Sequence, residues 1–234
     1  MFARVAVVGA LLGILGGCVR YEETLQVDET AKGTLTIVMT RPELETDSAI
    51  ARDFNSRFAK ANMKKNLPGT VTLSYEETTK DGRVTVKAVY RFNHINDLVR
   101  WAAGANLPFN QLSVSLRPDD GVFQYTRRFG PFDQDQMEDA QRYAPDAVAV
   151  FKVIGPGKLS TGNPTRTEGD AAVWEIQVPA LVSRTTTDLR AEFTFGTSRW
   201  VLALPVAIVI VGAAAVILLK RRRGAPASSA GAQV

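Results

Sequence analysis

From Trp200 to Leu219 the chain reads WVLALPVAIVIVGAAAVILL, a run without a charged residue. At 1.5 Å per residue, about 20 such residues cover the roughly 30 Å hydrocarbon core of a bilayer. Lys220-Arg221-Arg222-Arg223 follows at once, and basic residues beside a span mark its cytoplasmic side. Trp200 stands where an interfacial aromatic belongs, and Pro205 is tolerable inside such a helix. The expected protein is therefore single-pass in the cell membrane, with residues 200–219 in the bilayer and residues 220–234 as a basic cytoplasmic tail. Everything folded before residue 200 is expected on the extracytoplasmic side.

The other end has a matching logic. Arg4 precedes an apolar run from Val5 to Leu15, the layout of a secretory signal peptide, too short for an ordinary span. The run closes on Leu15-Gly16-Gly17-Cys18, which resembles the bacterial lipobox. That resemblance implies removal of residues 1–17 and a diacylglyceryl group on the thiol of Cys18. No intramolecular disulfide is available, because Cys18 is the sole cysteine. Residues 18–198 then form an extracytoplasmic domain fastened to one membrane at both ends, and both termini of its sheet are expected near that membrane.

Arg4 and the four cations at 220–223 account for more than the whole net charge of +4, leaving about −1 on residues 19–199. Nucleic-acid binding loses its compositional support. Anionic inner-leaflet lipid is the natural neighbour of the basic tail.

Within the domain, period-two alternation dominates. Tyr21, Glu23, Leu25 and Val27 alternate ahead of a turn at Ala31-Lys32-Gly33, after which Leu35, Ile37 and Met39 continue on one face. Val71, Leu73 and Tyr75, a turn at Lys80-Asp81-Gly82, and Val84, Val86, Ala88, Tyr90 and Phe92 make a second hairpin. Four further strands are expected: Phe123 to Phe129, Ala147 to Ile154, Ala172 to Val178, and Leu189 to Phe195. Between the hairpins, Ile50, Phe54, Phe58 and Ala61 make one apolar stripe of a helix over 45–65, with Arg52, Arg57, Lys60, Lys64 and Lys65 for its wet faces. Shorter helices are expected from Ile95 to Ala105 and after Asp133, through Met137, Ala140 and Tyr143. The order predicts an α+β fold: a mostly antiparallel sheet with one long and one or two short amphipathic helices, plus the C-terminal transmembrane helix.

No constellation for catalysis is legible, and the protein is read as a non-enzyme without cofactor or metal. His94, the sole histidine, lies at a strand-to-helix boundary and suits a capping or turn role. Zinc would need more His or Cys ligands than the chain has. No Gly-x-Ser-x-Gly elbow is present, and Gly155-Pro156-Gly157-Lys158 lacks the spacing of a phosphate loop. Asp119-Asp120-Gly121 reads as a turn, and Asp133, Asp135, Glu138 and Asp139 as the acidic start of a helix. Arg127-Arg128 beside Tyr125 and Phe129 reads as a solvated pair, with lipid phosphates as its functional alternative.

The opening CVRYEETLQVDETAKGTLTIVM after the lipobox resembles the LppM-like family of bacterial envelope lipoproteins. The distal Phe151-Lys152-Val153-Ile154-Gly155-Pro156-Gly157-Lys158-Leu159, followed by Asn163 and Val173-Trp174, is similar to that family's strand, Pro-Gly turn and returning Trp strand. Gly155 stands where the family pattern has a larger apolar residue. The resemblance implies an exported domain that engages lipid or glycolipid in an apolar groove between sheet and helix. Candidate lining residues are Phe54, Phe58, Tyr90, Phe92, Trp174, Phe193 and Phe195, each of which reads first as ordinary core. The competing reading is a structural or protein-interaction module that holds an envelope protein near the membrane.

Overall fold

A computed structural model describes residues 20–43, 58–104, 112–117, 120–143 and 145–196. Met1–Phe195 form one compact unit and Gly196–Val234 a second, of which Gly196 alone is described. Cys18, Phe54, Asp119 and the run from Trp200 to Leu219 lie outside the described residues, as does most of the helix expected over 45–65. Among the described residues no helix is long and apolar enough to cross a membrane.

The domain is β-rich α+β. Its first hairpin joins β1 (Arg20–Val27) to β2 (Gly33–Pro42). Asp28 organises the turn: its carboxylate accepts the backbone N–H groups of Thr30 at 2.8 Å and Lys32 at 3.0 Å. After the short helix α1 (Lys60–Met63) comes the hairpin of β3 (Val71–Lys80) and β4 (Arg83–Phe92). Asp81 and Gly82 both have positive φ, 52° and 69°, the backbone that a two-residue type I′ turn demands.

Helix α2 (Ile95–Gly104) leads to β5 (Leu112–Arg117) and β6 (Val122–Phe129). Helix α3 (Gln134–Tyr143) and β7 (Val148–Ile154) follow, then β8 (Lys158–Gly162) and β9 (Arg166–Glu168). The domain closes with β10 (Ala171–Gln177), α4 (Val178–Leu181) and β11 (Thr187–Thr194).

The strands divide into two sheets where one was expected. A seven-stranded sheet runs β3-β4-β2-β1-β7-β10-β9, and a four-stranded sheet runs β5-β6-β11-β8. Pairing is antiparallel except between β1 and β7, which run parallel. The alternation in β6 and β11 is real, but their apolar faces meet the large sheet instead of extending it. Tyr125 on β6 stacks on Trp174 of β10 with centroids 5.7 Å apart, and Phe129 meets Phe151 of β7 at 5.2 Å. At the flank, Trp101 of α2 lies 4.9 Å from Tyr90 of β4 and donates its indole N–H to the Lys65 carbonyl. Most of the expected inward residues are buried, and one contiguous core results.

The close approach of the sheets explains Gly155. A Cβ there would lie 2.5 Å from the Phe193 ring and 2.8 Å from the Phe123 ring, so the space beside this glycine is filled from the opposite sheet.

The strand directions fix where the described chain enters and leaves the domain. At one end of the large sheet Arg20 pairs with Thr40 and Val148, and at the other Gln26 pairs with Thr34 and Ile154. Strand β11 finishes at the Ile154 end, where Phe193 abuts Gly155 and Phe195 abuts Gly157. The chain thus enters the sandwich at one end and leaves at the other, because β1 and β11 advance the same way along it.

Candidate functional site

Parity along β1 and β6 puts Glu23 and Arg127 on the inward faces, and the structure buries both, to 2% and 1% exposure. Arg127 donates from Nη1 to Glu23 Oε1, and Tyr21 donates its hydroxyl to Glu23 Oε2 at 2.6 Å. The guanidinium lies 5.1 Å from the ring centroids of both Phe129 and Phe151. Burial is the largest single influence on Arg127 and works to lower its pKa, but the Glu23 carboxylate together with Tyr125 and Tyr21 outweighs it and the net direction is upward. The Tyr21 phenol is pushed well up, first by burial and then by the neighbouring carboxylate. A fully enclosed ion pair of this kind holds two sheets in register; it offers no surface to a substrate.

The expected arginine pair is thereby divided. Arg128 points outward and binds Asp188 with Nε at 2.8 Å, and Arg190 reaches the same carboxylate at 2.5 Å. The hydrogen bond from Arg128, followed by that from Arg190, pushes the Asp188 pKa from 3.8 down to about 2. Since the folded value is depressed, this ionic contribution is present above 3.8 and lost as pH falls through about 2. An NMR titration of the Asp188 carboxylate is expected to show a midpoint near 2, and Arg128→Ala to move it towards 3.8.

Asp188 and Arg190 border a groove of about 830 Å³ over the outer face of the four-stranded sheet. Gln124 and Thr126 of β6, Thr161 and Asn163 at the end of β8, and Asp188, Arg190 and Glu192 of β11 line it. Gln124 donates to Glu192 at 2.8 Å. Asn163 is its structural centre. The Asn163 amide donates to the Asp188 carbonyl at 2.8 Å, and its Oδ1 accepts the Arg190 backbone N–H at 2.7 Å and the Trp174 indole N–H at 3.2 Å. The buried Trp174 thus fixes the groove floor from beneath. Gly162 lets β8 run close against the Arg190 carbonyl, which a Cβ would strike.

Of the expected lining residues, Phe58, Tyr90, Phe92, Trp174 and Phe193 are buried in the core and Phe195 packs partly against it. They are spread along it: Tyr90 meets Trp101, Trp174 meets Tyr125, and Phe193 meets Phe123.

His94 caps as expected, its Nδ1 accepting the Asn96 N–H at 3.2 Å beside α2. Glu29, Thr30, Ala31, Ile95, Asn96 and Leu116 surround it in a second cavity of about 260 Å³. Asp120 pairs with Arg117, and Glu138 accepts from Gln134. No group of three or more His, Cys, Asp or Glu among the described residues could hold a metal ion. The groove went unseen in the sequence because its polar residues come from three strands whose adjacency only the fold reveals; outward parity of Gln124, Thr126, Arg190 and Glu192 was the available signal.

No family model and no curated protein matches this sequence. Among solved structures, the chain is similar to the folded domain of LppM from Mycobacterium tuberculosis, determined by NMR. The identity is 14% and the TM-score 0.47, with 80% of this chain and 95% of that chain covered.

Proposed function

We propose that this chain is a membrane-anchored extracytoplasmic module that holds an envelope lipid or glycolipid by its polar part, in the groove over the four-stranded sheet, and performs no turnover. The observation that carries this reading is the groove itself. Its volume of about 830 Å³ lies within the roughly 300–1,000 Å³ of small-ligand sites. Its amide, hydroxyl, carboxylate and guanidinium groups suit hydroxyls and phosphates, whereas the aromatic side chains that would suit acyl chains are committed to the core. The anchors are Cys18, through its lipid, and the helix from Trp200 to Leu219.

The test is native mass spectrometry and lipid extraction on the full chain taken from membranes in mild detergent. A bound lipid with a sugar or phosphate head is expected, and the double variant Gln124→Ala, Arg190→Ala should lower its occupancy about tenfold, the equivalent of some 1.4 kcal/mol. Recovery of an empty chain would refute binding. Undiminished occupancy in the double variant would remove the groove from the account.

A further inference from the structure

The seven-stranded sheet has two very different edges. At one stands β9, three residues long, with Arg166 and Glu168 tied into ion pairs. So short and charged a strand offers little backbone to another chain. At the other stands β3, ten residues long, whose last five, Glu76 to Lys80, are exposed on both faces of the strand. The two-residue turn at Asp81-Gly82 makes Lys80 and Arg83 the hydrogen-bonded pair that closes the hairpin. Alternation from there directs the N–H and C=O groups of Leu73, Tyr75, Glu77 and Thr79 away from β4, towards the open edge. No backbone hydrogen bond among the described residues meets them there.

Charge decides what this edge accepts. Glu76 and Lys80 share the outer face of β3, and neither makes an ion pair among the described residues. Lys80 stands opposite the like-charged Arg83, an unfavourable cross-strand neighbour. Suppose β3 pairs antiparallel with β3 of a second copy about a two-fold axis at Thr78. Glu76 of each copy then falls opposite Lys80 of the other, and Glu77 opposite Thr79. An axis at Glu76 or Glu77 would instead set a carboxylate against itself. An axis at Tyr75 or Ser74 would leave Lys80 without an acid and put Glu77 opposite Leu73 or Val71.

We propose that the open edge of β3 is a self-association site, where a second copy of this chain adds its own β3 antiparallel about an axis at Thr78 and joins two seven-stranded sheets into one. The charges that guard the edge against foreign strands also choose this register. A two-strand contact of this length buries less than the roughly 1,200 Å² of a stable interface, so the dimer forms and parts readily. It uses none of the residues that line the groove on the four-stranded sheet.

The test is disulfide trapping of the full chain in mild detergent, using the single variants Thr72→Cys, Ser74→Cys and Thr78→Cys. The natural chain, whose sole cysteine is Cys18, is the blank. At the axis Thr78 meets itself in a non-hydrogen-bonded pair, with Cα atoms about 4.5 Å apart, inside the range a disulfide spans. Under mild oxidation Thr78→Cys is expected to give about fivefold or more covalent dimer than either other variant, because only its thiols meet across the axis. In that background Glu76→Lys or Lys80→Glu should each lower the yield to that of the blank. The two together should restore it, since exchanging both charges keeps opposite charges face to face. Dimer no higher than the blank at all three positions overturns the proposal. So does a maximum at Thr72 or Ser74, a yield at Thr78 indifferent to the single charge changes, or a double charge variant that does not recover.

Discussion

Replacing Arg127 with methionine is expected to cost about 3–5 kcal/mol of unfolding free energy, because it leaves the Glu23 carboxylate enclosed without its cation. The interaction removed is not the whole cause. A buried pair gains little over apolar side chains of the same size, but a lone buried charge retains its full desolvation cost. The double variant Glu23→Leu, Arg127→Met should therefore recover a large part of the loss. The residual cost is about 1–3 kcal/mol, since the Tyr21 hydroxyl loses its acceptor. Chemical denaturation of the single and double variants gives the comparison directly. A single variant no less stable than the double one would show that the pair is not desolvated as the structure places it.

The second large effect is at Gly155, where alanine is expected to cost about 1–3 kcal/mol by overpacking. The added methyl group would stand 2.5 Å from the Phe193 ring, and both that ring and Phe123, 5.8 Å away between centroids, are fully buried. The distinguishing measurement is a second-site variant. Phe193→Ala should be destabilising in the natural background and less so beside Gly155→Ala, because it removes the ring atoms that the new methyl meets. Strict additivity of the two changes would mean that the sheets do not touch at this point.

Much of the fold was legible because its strands are half-buried and therefore patterned. The hairpins β1–β2 and β3–β4 follow from alternation joined to turn chemistry, and α2 from the stripe of Ile95, Leu98 and Ala102. What alternation does not contain is which strands share a sheet. Phe123, Tyr125 and Phe129 read as one apolar face whether that face meets a helix or another sheet, and only long-range packing decides between them.

The charge centre shows a different failure. Glu23 and Arg127 each sat on the apolar parity of its own strand, yet adjacency to Arg128 made solvation the natural expectation for Arg127. A charged residue in phase with apolar neighbours on two separate strands was the signal. Strands β8 and β9 left little trace, being short and mostly exposed, and the groove they help to border was correspondingly hidden.

Strand β1 lies in the interior of the large sheet, with β2 on one edge and β7 on the other. Its first partner follows within a tight turn, but its second is the segment 148–154, far along the chain. As the chain emerges from its N-terminus, the first hairpin must therefore wait with one long edge unpaired, and the Glu23 carboxylate must wait for Arg127. Such distant pairing makes for slow folding and a prolonged aggregation hazard. An anchor at Cys18 would hold that waiting edge at the membrane surface, away from other unfinished chains, until the strand that completes it arrives.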